Sequence, residues 1–493
     1  MRFCLSFLIC PFLICLALAG CGSSNGGGPV DVAIIGSGES LSSRGVRLSP
    51  AAQHLRAATD EGLVAMDASG QIVPALAERW IVTDDGLSYI FRLRNSQWPN
   101  GDEITAGQVR RMLLDNLRRL DGTALGLDLA KINDVRAMTG KVIEIKLTGP
   151  MPDFLRLLAQ PEMGFVRDGR GFGPMQGAHE DGGDIIVLTA LPPDMRGLPA
   201  LANWEETTRK IRVHALSAPQ AVEAFASGEV DLVLNGRVSD LPHADTGPLS
   251  RGTIRIDAAL GLLGLAVRNE EGLLAQAPLR EALAMAIDRS ALIQAFNIGG
   301  WQASPEVVPR SMWGAVEPAR LRWASAPIEQ RRAEARRRIA AWKAGNGGSA
   351  EVSIGMPQGP GSNLLFRRIA QDFATIGVTA RQVEPGRGAD LDLYDSVARY
   401  ASPRWFLNQF NCTIRTGPCS PKADALVEQS LTAASPDQKA ALLAQATLEL
   451  QDANAFISFG APIRWSLVRS SVTGFAENQW GLHPLFPLSE MPN

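Results

Sequence analysis

The 493-residue chain is short of the side chains that most catalytic and metal sites need. It has five histidines, at 54, 179, 214, 243 and 483, and they share no metal-ligand spacing with one another or with cysteine, so no zinc or haem motif is visible. The one Gly-x-Ser-x-Gly match, Gly22 to Gly26, lies in a glycine-serine stretch and not between a strand and a helix, so it does not make a nucleophile elbow. No paired acid and base stand out, and no enzyme is expected. There is no surplus of either charge: 48 basic against 51 acidic residues gives a formal net charge of −3, which removes the electrostatic reason to expect nucleic acid. Beyond residue 20 no apolar run reaches the length of about 20 residues that spans a bilayer. No internal repeat is evident.

What the chain does have begins at its start. Behind Arg2, residues 3–19 are almost wholly apolar; they end in Leu18-Ala19-Gly20-Cys21, and the composition then changes to GSSNGGG. A positive start, a short apolar core and small residues at the cut describe a secretory signal. Cysteine at the cut resembles a bacterial lipobox, which implies cleavage after residue 20 and a diacylglycerol anchor on Cys21. Residues 1–20 are then a lipoprotein signal peptide and 21–29 a flexible tether. Of the six cysteines, Cys412 and Cys419 alone lie beyond Cys21, seven residues apart and on the oxidising side of the membrane, where they are expected to bond to each other.

The mature length predicts two or three compact units of α/β type. Val30–Ile35 reads as a strand feeding the loop Gly36-Ser37-Gly38-Glu39. A third glycine and a following helix are missing, so a dinucleotide site is not expected, although the glycines allow some ligand a close approach. Glu78–Leu93 is the clearest hairpin, with alternating apolar residues on both sides of Asp84-Asp85-Gly86. Thr105 is a predicted N-cap for a helix through Arg119, and Ser435 for a helix from Pro436 to Asp452. Lys141–Leu147 and Asp390–Val397 read as strands. Leu262–Val267 is apolar throughout, as a strand buried on both faces would be. Pro278–Phe296 reads as one helix, and the arginine-rich Ile328–Lys343 as a helix with a solvated basic face and Ile339 and Trp342 packed inward.

Four blocks near the start, EGLV (61–64), VPALAERW (73–80), TDDGLSYIFRLR (83–94) and WPNGDEITAGQV (98–109), resemble the bacterial extracellular solute-binding proteins of the dipeptide/oligopeptide/nickel class, family 5. Later blocks follow in the family's order: SAPQAVEAFASGEVDLVLNG (217–236), PLREALAMAIDRSALI (278–293), WFLNQFNC (405–412) and GFAENQWGLHPL (474–485). The resemblance implies a two-lobed periplasmic-binding-protein fold with two crossovers, near 261–268 and 458–464, and an extra subdomain in the N-terminal lobe. Lobe 1 would comprise 30–57, 169–260 and 460–493, the extra subdomain 58–168, and lobe 2 261–459. It implies a monomer without cofactors that captures a small-molecule or peptide ligand and delivers it to ABC permease subunits. The same fold presenting ligand to a sensor, without transport, is the alternative.

The implied ligand-binding residues are Ser37, Gly38 and Glu39 on one side and Ser396, Arg399, Tyr400 and Trp405 on the other. Trp405 either stacks on a flat ligand or is a core residue. In peptide-binding members an aspartate four residues before a proline pairs with the peptide amine. In that register this chain has Arg399, ahead of Pro403, and arginine offers only donors. Either Arg399 points to solvent or a peptide ammonium is disfavoured and an anionic, N-blocked or carbohydrate-like ligand is favoured. The family's Gly-x-Gly-Pro-Tyr seam is Gly171-Phe172-Gly173-Pro174-Met175 here, without the tyrosine hydroxyl.

Overall fold

A computed structural model describes residues 28–491 apart from Arg44, 99–100, 181–184, 245–251, Ala315, Glu317, Ala319, Gly347 and Arg387. The expected signal peptide, Cys21 and nearly all of the tether lie outside the described residues.

Two sheets organise the fold. The first has seven strands in the order Met175–His179, Ile186–Ala190, Ile211–Leu216, Val30–Ile35, Leu232–Arg237, Arg464–Val468 and Ile254–Asp257. Val30–Ile35 runs parallel to both neighbours and is almost wholly buried, which is why its sequence is apolar without strict alternation. The second has five strands in the order Thr379–Val383, Glu351–Gly355, Leu391–Val397, Gly261–Val267 and Phe456–Gly460. Gly261–Val267 is buried at all seven positions, as the apolar run requires.

The chain crosses from the first sheet to the second between Asp257 and Gly261, and returns between Gly460 and Arg464. The stretch read as the first crossing is thus a strand of the second sheet, and the crossing itself is the short link before it. A third, antiparallel sheet is made by Ala77–Val82, Ser88–Leu93, Val142–Leu147 and Ile132–Ala137. Its hairpin turns at the expected Asp-Gly, where Gly86 takes a φ of +67°. Tyr89, Phe91 and Leu93 point inward, but Ile81 and Val82 on the edge strand are exposed. The expected helix from Thr105 forms as Ala106–Arg119, with Thr105 and Gln108 capping each other's backbone.

One expected helix is broken. Pro278–Phe296 divides into Ala277–Ala286 and Arg289–Gln294, because Ile287 is extended and Asp288 caps the second piece by accepting from Ala291 N. The basic helix Ile328–Asn346 buries Ile339 as expected. Its arginines do more than face water: Arg332 pairs with Asp372, and Arg338 donates to Glu281 at 2.7 Å.

A continuous apolar cluster runs from the third sheet (Phe91, Ile143, Ile145) to the helices around Phe406, Leu426 and Leu443. A second cluster spans both larger sheets through Val233, Leu263, Ile457 and Trp465.

Candidate functional site

The carboxyl edge of the first sheet's parallel strands is where open α/β sheets place ligands. The sequence predicts no helix after this loop, but Ser37 caps a short one, Gly38–Leu41, and accepts from Ser40 N at 3.1 Å. Gly38 and Glu39 are exposed in its first turn.

The other predicted residues lie together on the second sheet and the segment after it. Ser396 is on the strand Leu391–Val397, opposite Leu262. Arg399 follows it and does not point to open solvent. Its Nη1 donates to Glu162 Oε2 and Gln160 Oε1, both at 2.8 Å, and its Nη2 donates to Glu162 Oε1 at 2.7 Å. The Arg399 side chain is 24% exposed and that of Glu162 only 2%. Such a bidentate, charge-assisted pair fixes both groups, and the carboxylate holds the Arg399 pKa above the ordinary arginine value against the opposing effect of burial. Gln160 also lines a small pocket with Ala57, Asp60, Glu61, Pro161 and Leu482, a pocket to which the second sheet and its helices contribute no residue.

Tyr400 is buried, and its hydroxyl donates to Asp128 Oδ1 at 2.8 Å; Asn408 Nδ2 donates to the same oxygen at 2.7 Å. Burial pushes the Asp128 carboxyl up to about 6, although Arg404, Asn408 and Tyr400 oppose the shift. Trp405 is also buried, with its ring edge-on to Phe406 at 4.9 Å. The structure therefore gathers Ser396, Arg399, Tyr400 and Trp405 in one region, with Arg399 and Tyr400 tied to residues 128 and 160–162. Ser37, Gly38 and Glu39 stand apart on the first sheet.

Several polar groups at the junction of the sheets carry no motif in the sequence. Arg464 donates to Asp395 Oδ1 at 2.7 Å, an ion pair between a strand of the first sheet and one of the second. His483 Nε2 meets Asp257 Oδ2 at 3.0 Å, and His54 Nδ1 lies 3.1 Å from the His483 carbonyl. Burial, then the neighbouring His483, drives the His54 pKa down to about 3, so it is neutral. The five histidines looked scattered; two of them meet here across 429 residues. No group of three or more metal-ligating side chains occurs among the described residues. Spacing could not have revealed Glu162, Asp128 or Asp395, because each finds its partner only through the tertiary fold.

Cys412 and Cys419 are bonded, with Cα atoms 5.3 Å apart. Among the described residues no helix is long and apolar enough to cross a membrane.

Two α/β lobes joined by paired crossings, with polar groups converging at their junction, define the two-lobed periplasmic-binding-protein class. Residues 71–413 match the bacterial extracellular solute-binding proteins, family 5 (middle region), and the chain belongs to that family of binding proteins. It is 24% identical over 488 aligned positions to the probable di/tripeptide-binding protein 5 of Pseudomonas aeruginosa UCBPP-PA14, covering 85% of this chain and 87% of that one. A shorter match, 33% identical over 129 residues, is to the probable deoxycholate-binding periplasmic protein YgiS of Escherichia coli K12; it covers 21% of this chain and only 23% of that protein. The fold superposes on Haemophilus influenzae OppA in complex with the peptide RPPGFSPFR with a TM-score of 0.77, at 18% identity, over 94% of this chain and 99% of that chain.

Proposed function

We propose that this protein is the solute receptor of an ABC importer. It is anchored by lipid at Cys21 on the periplasmic side of a bacterial membrane, captures a small peptide-like or related solute between two lobes, and delivers it to the permease. Residues 58–168 form the extra subdomain of the first lobe. The observation that carries this reading is the pair of adjacent crossings between two sheets whose facing edges hold polar groups. Such a joint lets the lobes close on a solute that touches both, and binding then shifts the population toward the closed state. The di/tripeptide name of a relative aligned over most of both chains supports a peptide-like solute.

The test is a thermal-shift screen of the purified mature chain against dipeptides, tripeptides, sugars, small anions and metal chelates. A true ligand at about 100 times its Kd stabilises by about 2.7 kcal/mol and raises the melting temperature. No shift with any of these classes refutes the reading. Labelling of the wild type by radioactive palmitate, lost in Cys21→Ser, tests the anchor.

A further inference from the structure

The charges around the junction do not balance. Five acids there already hold a basic partner: Asp60 with Arg56, Glu61 with Arg196 at 3.7 Å, Glu162 with Arg399, Asp257 with His483 and Asp395 with Arg464. A ligand ammonium would have to displace the arginine or histidine side chain already seated on each of them. Glu162 in particular cannot be freed without stranding a buried charge on one partner.

Arg237 is different. It ends the strand Leu232–Arg237 and stands directly opposite Arg464 on the neighbouring antiparallel strand. Like charges in that placement repel. Arg464 is neutralised by Asp395, but among the described residues no side-chain hydrogen bond or ion pair joins the Arg237 guanidinium. Asp395 and Asp240 attract it from farther off; Asp240 is itself bonded to Ser239 Oγ at 2.6 Å. The other ionisable neighbour, His54, is neutral. Burial, reinforced by Arg464, lowers the Arg237 pKa below its ordinary value, so the charge is held at a cost.

The backbone is shaped to put it there. The pairing register shifts between Val233 and Gly236, and Asn235 adopts a left-handed φ of +66° with its side-chain amide donating to Ile35 O at 2.7 Å. Gly236 lies so close to the Trp465 ring that a Cβ would clash. Bulges of this kind re-aim a side chain, and they recur beside binding sites.

We infer that Arg237 is the anchor for a carboxylate of the solute, and that the cleft takes anionic solutes without a free ammonium. This rests on the receptor reading above. It moves the anion-binding role that the sequence suggested for Arg399 to a residue that is not already paired.

The test uses four dialanine probes that differ only in end charges: N-acetyl-Ala-Ala, Ala-Ala, Ala-Ala-amide and N-acetyl-Ala-Ala-amide. Each is titrated calorimetrically into the mature wild type and into Arg237→Met. The wild type should bind N-acetyl-Ala-Ala at least tenfold more tightly than the other three. Arg237→Met should lose that preference while melting no lower than the wild type, because the like-charge opposition to Arg464 is gone. Tighter or equal binding of Ala-Ala or its amide overturns the inference and leaves the receptor reading intact, as does retention of the anion preference by Arg237→Met. Binding of none of the four overturns both the inference and the peptide-like part of that reading.

Discussion

Arg399 and Glu162 should prove energetically coupled, so that removing both costs less than the two single losses added together. Glu162 is 2% exposed, and without Arg399 its charge would keep Gln53 Nε2, at 3.0 Å, as its remaining side-chain donor. Removing one member of a buried pair costs about 3–5 kcal/mol, and the retained Gln53 contact puts Arg399→Met at the low end, about 3 kcal/mol. Glu162→Gln leaves a guanidinium that keeps its bond to Gln160 and is 24% open to water. It should cost about 1.5 kcal/mol, the worth of a hydrogen bond to a charged group. The double variant Arg399→Met/Glu162→Gln strands no charge. It should cost at least 1 kcal/mol less than the sum of the singles, contacting residues being coupled by about 0.5–3 kcal/mol. Urea unfolding of the four proteins at pH 7.5 and one salt concentration gives the cycle. Single-variant effects that add within about 0.5 kcal/mol would refute the coupling, and with it the assignment of Arg399 to Glu162.

The His54 imidazole, with its pKa lowered to about 3, stays neutral in the fold while the unfolded chain takes up a proton near pH 6.5. Its contribution is therefore whole above pH 6.5 and is lost as pH falls toward 3, at about 1.4 kcal/mol per unit; urea midpoints at pH 7.5 and 5 should show that slope in the wild type and a shallower one in His54→Gln. The Asp128 carboxyl, raised to about 6, behaves oppositely: its contribution is whole below about pH 4 and is lost as pH rises through 6. Asp128→Asn keeps an acceptor for Tyr400 and Asn408, so it should gain up to about 3 kcal/mol at pH 7.5 and nothing at pH 4; destabilisation at pH 7.5 would contradict this. Gly236→Ala, with its methyl forced against Trp465, should lose about 1–3 kcal/mol by thermal unfolding.

Features written in contiguous residues were legible before the fold was known. The Asp84-Asp85-Gly86 turn, the Thr105 cap and the unbroken apolar run at 262–267 each state a local rule, and each forms as read. The break at Ile287 was hidden because its cause, Asp288 turning to cap the next helix while its own N–H donates to Asp372 84 positions away, is tertiary. The functional region was legible in one half only. Arg399 could be singled out from its place before Pro403, but its partner Glu162 lies 237 positions distant. Arg237 carried no signal, since its opposition to Arg464 exists only once two strands pair.

The two crossings lie side by side: a Cβ on Gly261 would touch the Pro462 ring. Two short straps set next to each other permit swing about one line and resist sliding or twisting, as a door leaf does on its pins. In such a swing, groups near that line, Arg464 and Asp395 among them, would travel least and the distant rims would sweep the widest arc. On the receptor reading, a solute held near the pivot would move little as the lobes close, and its far end would meet the part that moves most.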